Sequence, residues 1–249
     1  MLRRILGMLY VPPAAVLTLA SAAFVTLLIG PWVVLPRGRR ERYAIHGARV
    51  FAWLCRRPIL WLREEVVGAE HVRRPGDGGP GQLVICNHRS WLDPALVIFH
   101  TWSQGISKAE VKYVPFFGLN GYLSGGIFFD RADPVARARV PEEAVTLLKA
   151  GANVHLYPEG TRSRDGTLRE KVHLKLLAVA WEHGIDVLPA CVWGTEGAVP
   201  VRGLAAYPGA RVGIEIGAPL RREDFPDGAS YAAASWEAVR AIAVRRGVA

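Results

Sequence analysis

Hydrophobic and polar positions divide this chain into two unlike regions. After Arg3-Arg4 no charged side chain occurs until Arg37. One unbroken helix over that run would reach about 48 Å, well beyond the roughly 30 Å hydrocarbon core of a bilayer. The excess predicts interruptions, for which Pro12-Pro13 and Gly30-Pro31 are the natural places. Two arrangements satisfy the pattern: a tilted single span from Ile5 to Ile29, or a hairpin that enters one leaflet. The basic residues at 37–42 that close the run belong on the cytoplasmic side, while Arg3-Arg4 at the other end favours the hairpin. A cleaved signal peptide would share the basic start, and Ala20-Ser21-Ala22 resembles a cleavage site, but the run continues through residues 24–29, which cleavage does not require. Next, residues 51–61 mix aromatic and apolar side chains with Arg56-Arg57. They predict an interfacial connector with Trp53 and Trp61 at headgroup depth and both arginines near lipid phosphates. An ordinary packing helix would carry the same pattern.

From residue 62 onward, short apolar runs alternate with periodic ones. Strands are predicted over 62–72, 82–86, 153–157, 186–192 and 211–216, and helices over 94–100, 141–150, 167–183 and 231–245. Val140, Ala144, Leu147 and Leu148 fall on one helical face between Pro141 and Gly151. Residues 74–81, rich in Gly and Pro, read as an exposed loop. This alternation predicts an α/β fold, a largely parallel sheet flanked by helices, with an N-terminal membrane-anchoring helical segment. Residues 1–60 form the membrane segment and connector, and 61–249 form the single domain whose core a chain of this length can bury. No internal repeat or low-complexity tract is present.

Chemistry concentrates where two strands end. Strand 82–86 runs into Asn87-His88-Arg89-Ser90-Trp91-Leu92-Asp93. Residues five apart on a continuous helix lie roughly 140° apart, so contact between His88 and Asp93 needs His88 in a turn and Asp93 at a helix start. Asp93 as N-cap and Pro94 as first helical residue meet that need. Such a pair suits general-base catalysis, the carboxylate fixing the imidazole tautomer; a capping Asp with an unrelated turn His is the other reading. Strand 153–157 runs into Pro158-Glu159-Gly160-Thr161-Arg162-Ser163, and sites of parallel sheets gather at such carboxyl ends. The forked guanidinium of Arg162 matches phosphate geometry. Glu159, itself an anion, is expected to anchor a cation, a backbone amide or a hydroxyl.

Charge narrows the partners. The net charge is +9 and the pI about 9.9, which suits an anionic partner. Without zinc-finger spacing, RNA-binding aromatic signature or long Lys/Arg block, nucleic acid is not indicated, and lipid headgroups beside the apolar run are. Cys55, Cys86 and Cys191 lack both even number and CxxC spacing, so they predict neither disulfides nor a zinc site. Cys86 adjoins His88, but neighbouring strand residues face opposite sides, which favours a structural thiol over a nucleophile. A metal site from His88, Asp93 and Glu159 has no paired-His motif behind it.

The motifs Asn-His-x-Ser-x-x-Asp and Tyr-Pro-Glu-Gly-Thr-Arg-Ser, in this order, resemble those of the glycerolipid acyltransferase family, whose best-known members are the 1-acylglycerol-3-phosphate acyltransferases. Residues 108–118 look like that family's second block, 126–131 like its continuation, and Leu188-Pro189-Ala190 like its fourth. The resemblance implies transfer of a fatty acyl group from acyl-CoA or acyl-acyl carrier protein to a lysophospholipid, typically the sn-2 hydroxyl of lysophosphatidic acid. It implies His88 as base with Asp93 orienting it, and no metal or organic cofactor. By the same resemblance Lys108 and Arg162 meet the acceptor's phosphate, Arg131 either does so too or makes an ion pair, and Glu159, Gly160 and Thr161 line the substrate. Backbone N–H groups near Gly160-Thr161 or the His88 turn are the candidates for an oxyanion. The enzyme would work at the cytoplasmic face of the cell membrane, among membrane lipid. Lys171-Val172-His173 departs from the family's Lys-x-Gly, which leaves other lysolipids open as acceptors. A lipid hydrolase could use the same pair, but no Gly-x-Ser-x-Gly elbow is present; a non-catalytic membrane-binding protein would not need His88, Asp93, Glu159 and Arg162 together.

Overall fold

The computed structural model describes residues 2–35, 39–114 and 117–248. Arg37 and Gly38 of the basic cluster, and Pro115 and Phe116 of the second block, lie outside them. The strands are β1 (Arg63–Val67), β2 (Leu83–Cys86), β3 (Ser103–Lys108), β4 (Ile127–Phe129), β5 (Asn153–Leu156), β6 (Val187–Trp193) and β7 (Arg211–Ile216). They form one sheet in the order β1-β7-β6-β2-β5-β3-β4. Every pair is parallel except β6 with β7, as the largely parallel expectation requires.

β2 is central, and its run Leu83-Val84-Ile85-Cys86 is wholly buried, as a strand covered on both faces must be. Its alternation splits the core. Val84 and Cys86 pack with Leu92, Leu96 and Val97, while Leu83 and Ile85 pack on the opposite face with Leu148, Leu177 and Trp236. Helices cover both faces: α1 (Leu2–Ile29), α2 (Arg39–Leu54), α3 (Asp93–Thr101), α4 (Phe117–Leu123), α5 (Pro134–Lys149), α6 (Lys175–Glu182), α7 (Thr195–Ala198) and α8 (Gly228–Arg245).

Several expectations need correction. The first strand stops at Val67, where Gly68 turns left-handed (φ 78) into a 3-10 turn over Ala69–His71. The helix expected over 167–183 begins only at Lys175, because Ser163 and Asp165 fold the preceding loop onto the Gly166 and Thr167 backbone amides. α5 starts earlier than expected, at an Asp133 cap accepting from Val135 N, and contains Pro141 instead of opening on it. β3, β4 and α2 were not anticipated.

α1 also runs unbroken through Pro12-Pro13, and only the 3-10 turn at Gly30–Val34 marks the second expected interruption. Packing explains its continuity. Gly7, Ala14, Ala22, Val25 and Ile29 form a buried face. The Gly7 carbonyl accepts from Ala206 N at 3.1 Å, and a Cβ on Gly7 would lie 2.3 Å from the Tyr207 ring. The Tyr10 hydroxyl donates to the Ile59 carbonyl, and Asn120 of α4 donates to the Ala22 carbonyl at 3.0 Å. α2 returns against α1 at Gly47, where a Cβ would stand 2.2 Å from Ile29. The other face, including Leu6, Leu9, Leu17, Phe24 and Leu27, is exposed. Among the described residues, Leu2–Val34 is the one helical stretch long and apolar enough to cross a membrane.

The connector is corrected as well. Arg56 does not reach outward: it is 1% exposed, pairs with the buried Glu64 and lies 3.1 Å from His100 Nε2. A buried carboxylate demands such a partner. Arg57 stays half-exposed, and Trp53 and Trp61 are exposed.

Candidate active site

Where β2 ends, the side chain of Asn87 replaces the ladder: its Nδ2 donates to the Val192 carbonyl (2.9 Å) and its Oδ1 accepts from Val192 N (2.7 Å). The backbone is thereby freed to turn. His88 N then donates to Glu159 Oε1 at 2.9 Å, and His88 Nδ1 lies 2.7 Å from Asp93 Oδ2. The contact required from the spacing is present, but Asp93 is not the N-cap. It is the first residue of α3, preceded by Leu92, and its carboxylate turns back to accept from Arg89 N (2.5 Å) and Ser90 N (2.7 Å). Asp93 is fully buried. To bond this carboxylate, Nδ1 of His88 must carry the proton, which leaves Nε2 with a lone pair.

The His88 ring is sandwiched against Tyr157, with centroids 4.0 Å apart and planes at 14°. His155 meets Tyr157 edge-on at 5.7 Å; burial holds it down at about 4, hence neutral, despite its bond with Ser103. The Tyr157 hydroxyl is buried without a hydrogen-bond partner, so the ring face and not the hydroxyl acts on His88. If the site works as the family resemblance implies, Y157F is therefore expected to keep full activity, whereas Y157A frees the imidazole and lowers kcat by about two- to tenfold, the usual worth of such a stack; steady-state rates of the two variants check this.

The second strand end supplies the remaining groups. Glu159 uses one oxygen for His88 N, the backbone-amide anchor among its three expected partners, while Oε2 is buried without one. Burial pushes this carboxyl up to about 7, against the bonds from the His88 and Arg169 amides. Gly160 turns left-handed (φ 67) and donates its N–H to the Tyr157 carbonyl at 2.9 Å. Among the described residues Arg131 makes no structural ion pair, but it donates to the Gly160 carbonyl at 2.5 Å, joining the second and third blocks. Arg162 lies with its guanidinium carbon 4.0 Å over the ring of Trp91, which is 60% exposed, and its buried Nη1 has no partner.

Lys108 and Thr161 are exposed and, among the described residues, make no side-chain hydrogen bond. Lys108 closes β3 in register with Phe129, two residues before Arg131. Of the backbone donors considered for an oxyanion, His88, Arg89, Ser90 and Gly160 are already engaged. His173 is not on a helix. It sits exposed in the loop before α6, its ring 3.2 Å from where a Cβ of Gly160 would be. Arg89, for which the sequence leaves a solvated turn charge open, is buried and paired to both oxygens of Glu196 at 3.1 and 2.9 Å. Burial pushes the Cys86 thiol well above its usual value, as befits a structural cysteine. Asn87, Trp91 and Tyr157 sit inside the two motifs and could have been nominated from them; Thr195, whose Oγ1 donates to Asp93 Oδ1 at 2.5 Å, carries no motif signal.

Known proteins resemble this arrangement. The family model described as Acyltransferase matches residues 63–193, more than half of the chain. A 1-acyl-sn-glycerol-3-phosphate acyltransferase of Pseudomonas aeruginosa is 30% identical over 220 residues, covering 83% of this chain and 79% of that protein. A chloroplastic 1-acyl-sn-glycerol-3-phosphate acyltransferase of Arabidopsis thaliana is 30% identical over 187 residues, 73% of this chain and 50% of that one. The chain spans about half the length of such plant and algal relatives. The crystal structure of the 1-acyl-sn-glycerophosphate (LPA) acyltransferase PlsC from Thermotoga maritima, 26% identical, matches with a TM-score of 0.77 over 99% of this chain and 95% of that one. From the family model and the Pseudomonas relative together, this chain belongs to the acyltransferase family that includes the 1-acyl-sn-glycerol-3-phosphate acyltransferases.

Proposed function

We propose that this protein transfers a fatty acyl group from acyl-CoA or acyl-acyl carrier protein to the sn-2 hydroxyl of lysophosphatidic acid, giving phosphatidic acid. The observation that carries the reading is the His88–Asp93 bond, which leaves Nε2 of His88 as a base; Arg162, in the second motif, keeps a buried Nη1 without a partner. In this reading Nε2 takes the proton of the acceptor hydroxyl as its oxygen attacks the thioester carbonyl. The C–S bond then breaks, the new ester forms, and the thiolate leaves with the proton returned by the imidazolium. Only residues of the chain and the two substrates take part; no metal or organic cofactor is invoked. Arg162 and Lys108 meet the acceptor's phosphate. Arg131 and Glu159 hold the Gly160 and His88 backbones, and the N–H of Thr161 remains for the developing oxyanion.

Residues 1–60 engage the membrane and 61–249 carry the chemistry. The packing of α1 along the domain on one face, with an apolar face outward, supports immersion in a single leaflet over a detached span. The basic residues near 39–42 support the cytoplasmic side. The reading is tested with the enzyme in liposomes, acyl-CoA or acyl carrier protein as donor, and a panel of lysolipids. Lysophosphatidic acid is expected to be the preferred acceptor, and R162A to lower kcat/KM for it about 10- to 100-fold while leaving lysolipids without a terminal phosphate unaffected. Preference for such a lysolipid would overturn the phosphate assignment and favour the second reading, another acceptor, to which the imidazole of His173 beside Gly160 gives a physical basis.

A further inference from the structure

The segment after β6 makes three side-chain connections to the turn that carries His88. Arg89 pairs with Glu196, the Ser90 hydroxyl donates to the Val199 carbonyl at 2.7 Å, and the Thr195 hydroxyl donates to Asp93 Oδ1 at 2.5 Å. The first two hold the turn; the third reaches the carboxylate itself. We infer that Thr195 is a positioning residue for acyl transfer, the last member of a His88–Asp93–Thr195 chain that fixes the plane of the carboxylate and moderates its pull on the imidazole. This rests on the reading of His88 as the base.

Oδ2 of Asp93 is crowded, accepting from His88 Nδ1 and from the Arg89 and Ser90 amides. Bonds gathered on one oxygen leave rotation of the carboxylate weakly defined, because its last torsion has a broad two-fold well. Thr195 on Oδ1 removes that freedom. Without it Oδ1 would be an acceptor with no donor, on a residue wholly out of solvent. The direction of the bond follows from chemistry, since an ionised carboxylate only accepts.

Local sequence puts the hydroxyl there. Gly194 is left-handed (φ 74), and a Cβ on it would lie 2.3 Å from the Arg211 carbonyl oxygen, so only glycine lets the chain turn from β6 into α7 at this point. Thr195 is itself fully buried.

The consequence is electronic as well as geometric. When His88 holds the acceptor's proton, Asp93 stabilises the charged ring, and a donor on Oδ1 draws off part of the carboxylate's charge. The ring then gives its proton up more readily to the leaving thiolate. Removing that donor makes the carboxylate more basic, and the pair keeps its proton to higher pH. The other groups around the pair are Tyr157 stacked on the ring, His155 edge-on to Tyr157, Glu159 bound to the His88 backbone amide, and Arg89 and Arg162, whose charges act on Asp93; none of these bonds the ring nitrogens.

Wild type, T195V, T195S and H88A are compared in liposomes by kcat, KM and the pH dependence of kcat/KM, with thermal melting as a check on folding. T195V is expected to lower kcat about 10- to 100-fold, as loss of a bond to a charged group does, with KM within about twofold and the acidic limb of the profile moved to higher pH. T195S restores the hydroxyl and should return both rate and profile. T195A serves where T195V does not fold. A hydroxyl-free variant with wild-type kcat, an unmoved limb, or a T195S as impaired as T195V overturns the inference. Retention of activity in H88A overturns instead the base assignment on which it depends.

Discussion

H88A is expected to reduce kcat by about 10²- to 10⁴-fold, the usual share of a positioned general base, with membrane binding unchanged. The effect is large because no neighbour can substitute. Asp93 is fully buried with its oxygens committed to His88, Arg89, Ser90 and Thr195. Glu159 has spent one oxygen on His88 N and holds the other buried. The His155 ring is itself buried and bonded through Nδ1 to Ser103. Acyl transfer from acyl-CoA, followed together with liposome flotation, separates the two properties. A variant that floats with vesicles but transfers no acyl group agrees with the base assignment, and one that retains most of its rate refutes it.

The second large effect is on stability. Replacing Arg56 by alanine is expected to destabilise the protein by about 3–5 kcal/mol, because the buried Glu64 would lose its buried guanidinium partner and keep only the His100 imidazole and the more distant Arg57. Both side chains are almost fully buried, 1% and 2% exposed. Burial alone would raise the Glu64 carboxyl, but its bonds from His100 and Arg56 outweigh that and hold it below the ordinary value. A depressed carboxylate contributes stability that is present above its unfolded pKa and lost as pH falls through the folded one. Melting of wild type and R56A as pH falls below about 5 should therefore converge. The arginine is poorly served in return: its Nε and Nη1 are buried without partners, and burial lowers its own pKa. The pair is thus costly to break and of little net worth, so R56M/E64L should melt close to wild type. A single variant as stable as wild type would show that water reaches the site.

What could be read without coordinates follows from how local each signal is. β2 was legible because a strand buried on both faces must be apolar throughout, and His88 and Asp93 because they lie within one turn of chain. β3 was not, since Ser103-Gln104-Gly105 looks like a loop; it is buried because Thr101, Ser103 and His155 satisfy one another in a hydrogen-bonded row. Charge misled at Arg56, which the pattern sends toward lipid phosphates; like Arg89, it closes a pair with a carboxylate that only the fold brings near. Thr195 was invisible because its partner is 102 positions away. The prolines of α1 predict breaks, but the buried face of the helix, tied to the domain at Gly7, Tyr10 and Ala22, keeps it whole.

That last attachment bears on how the protein can be handled. The first turns of α1 hold Ala206 and lie against Tyr207, whose amide donates to the Ala198 carbonyl at 2.8 Å, at the end of the same short helix that begins with Thr195. Ala14 also closes the core around Ile59, Leu60 and Leu92. Trimming α1 to obtain a detergent-free enzyme would therefore bare part of that core and untie the loop behind the carboxylate, so solubility and catalytic competence cannot be separated by cutting the chain there.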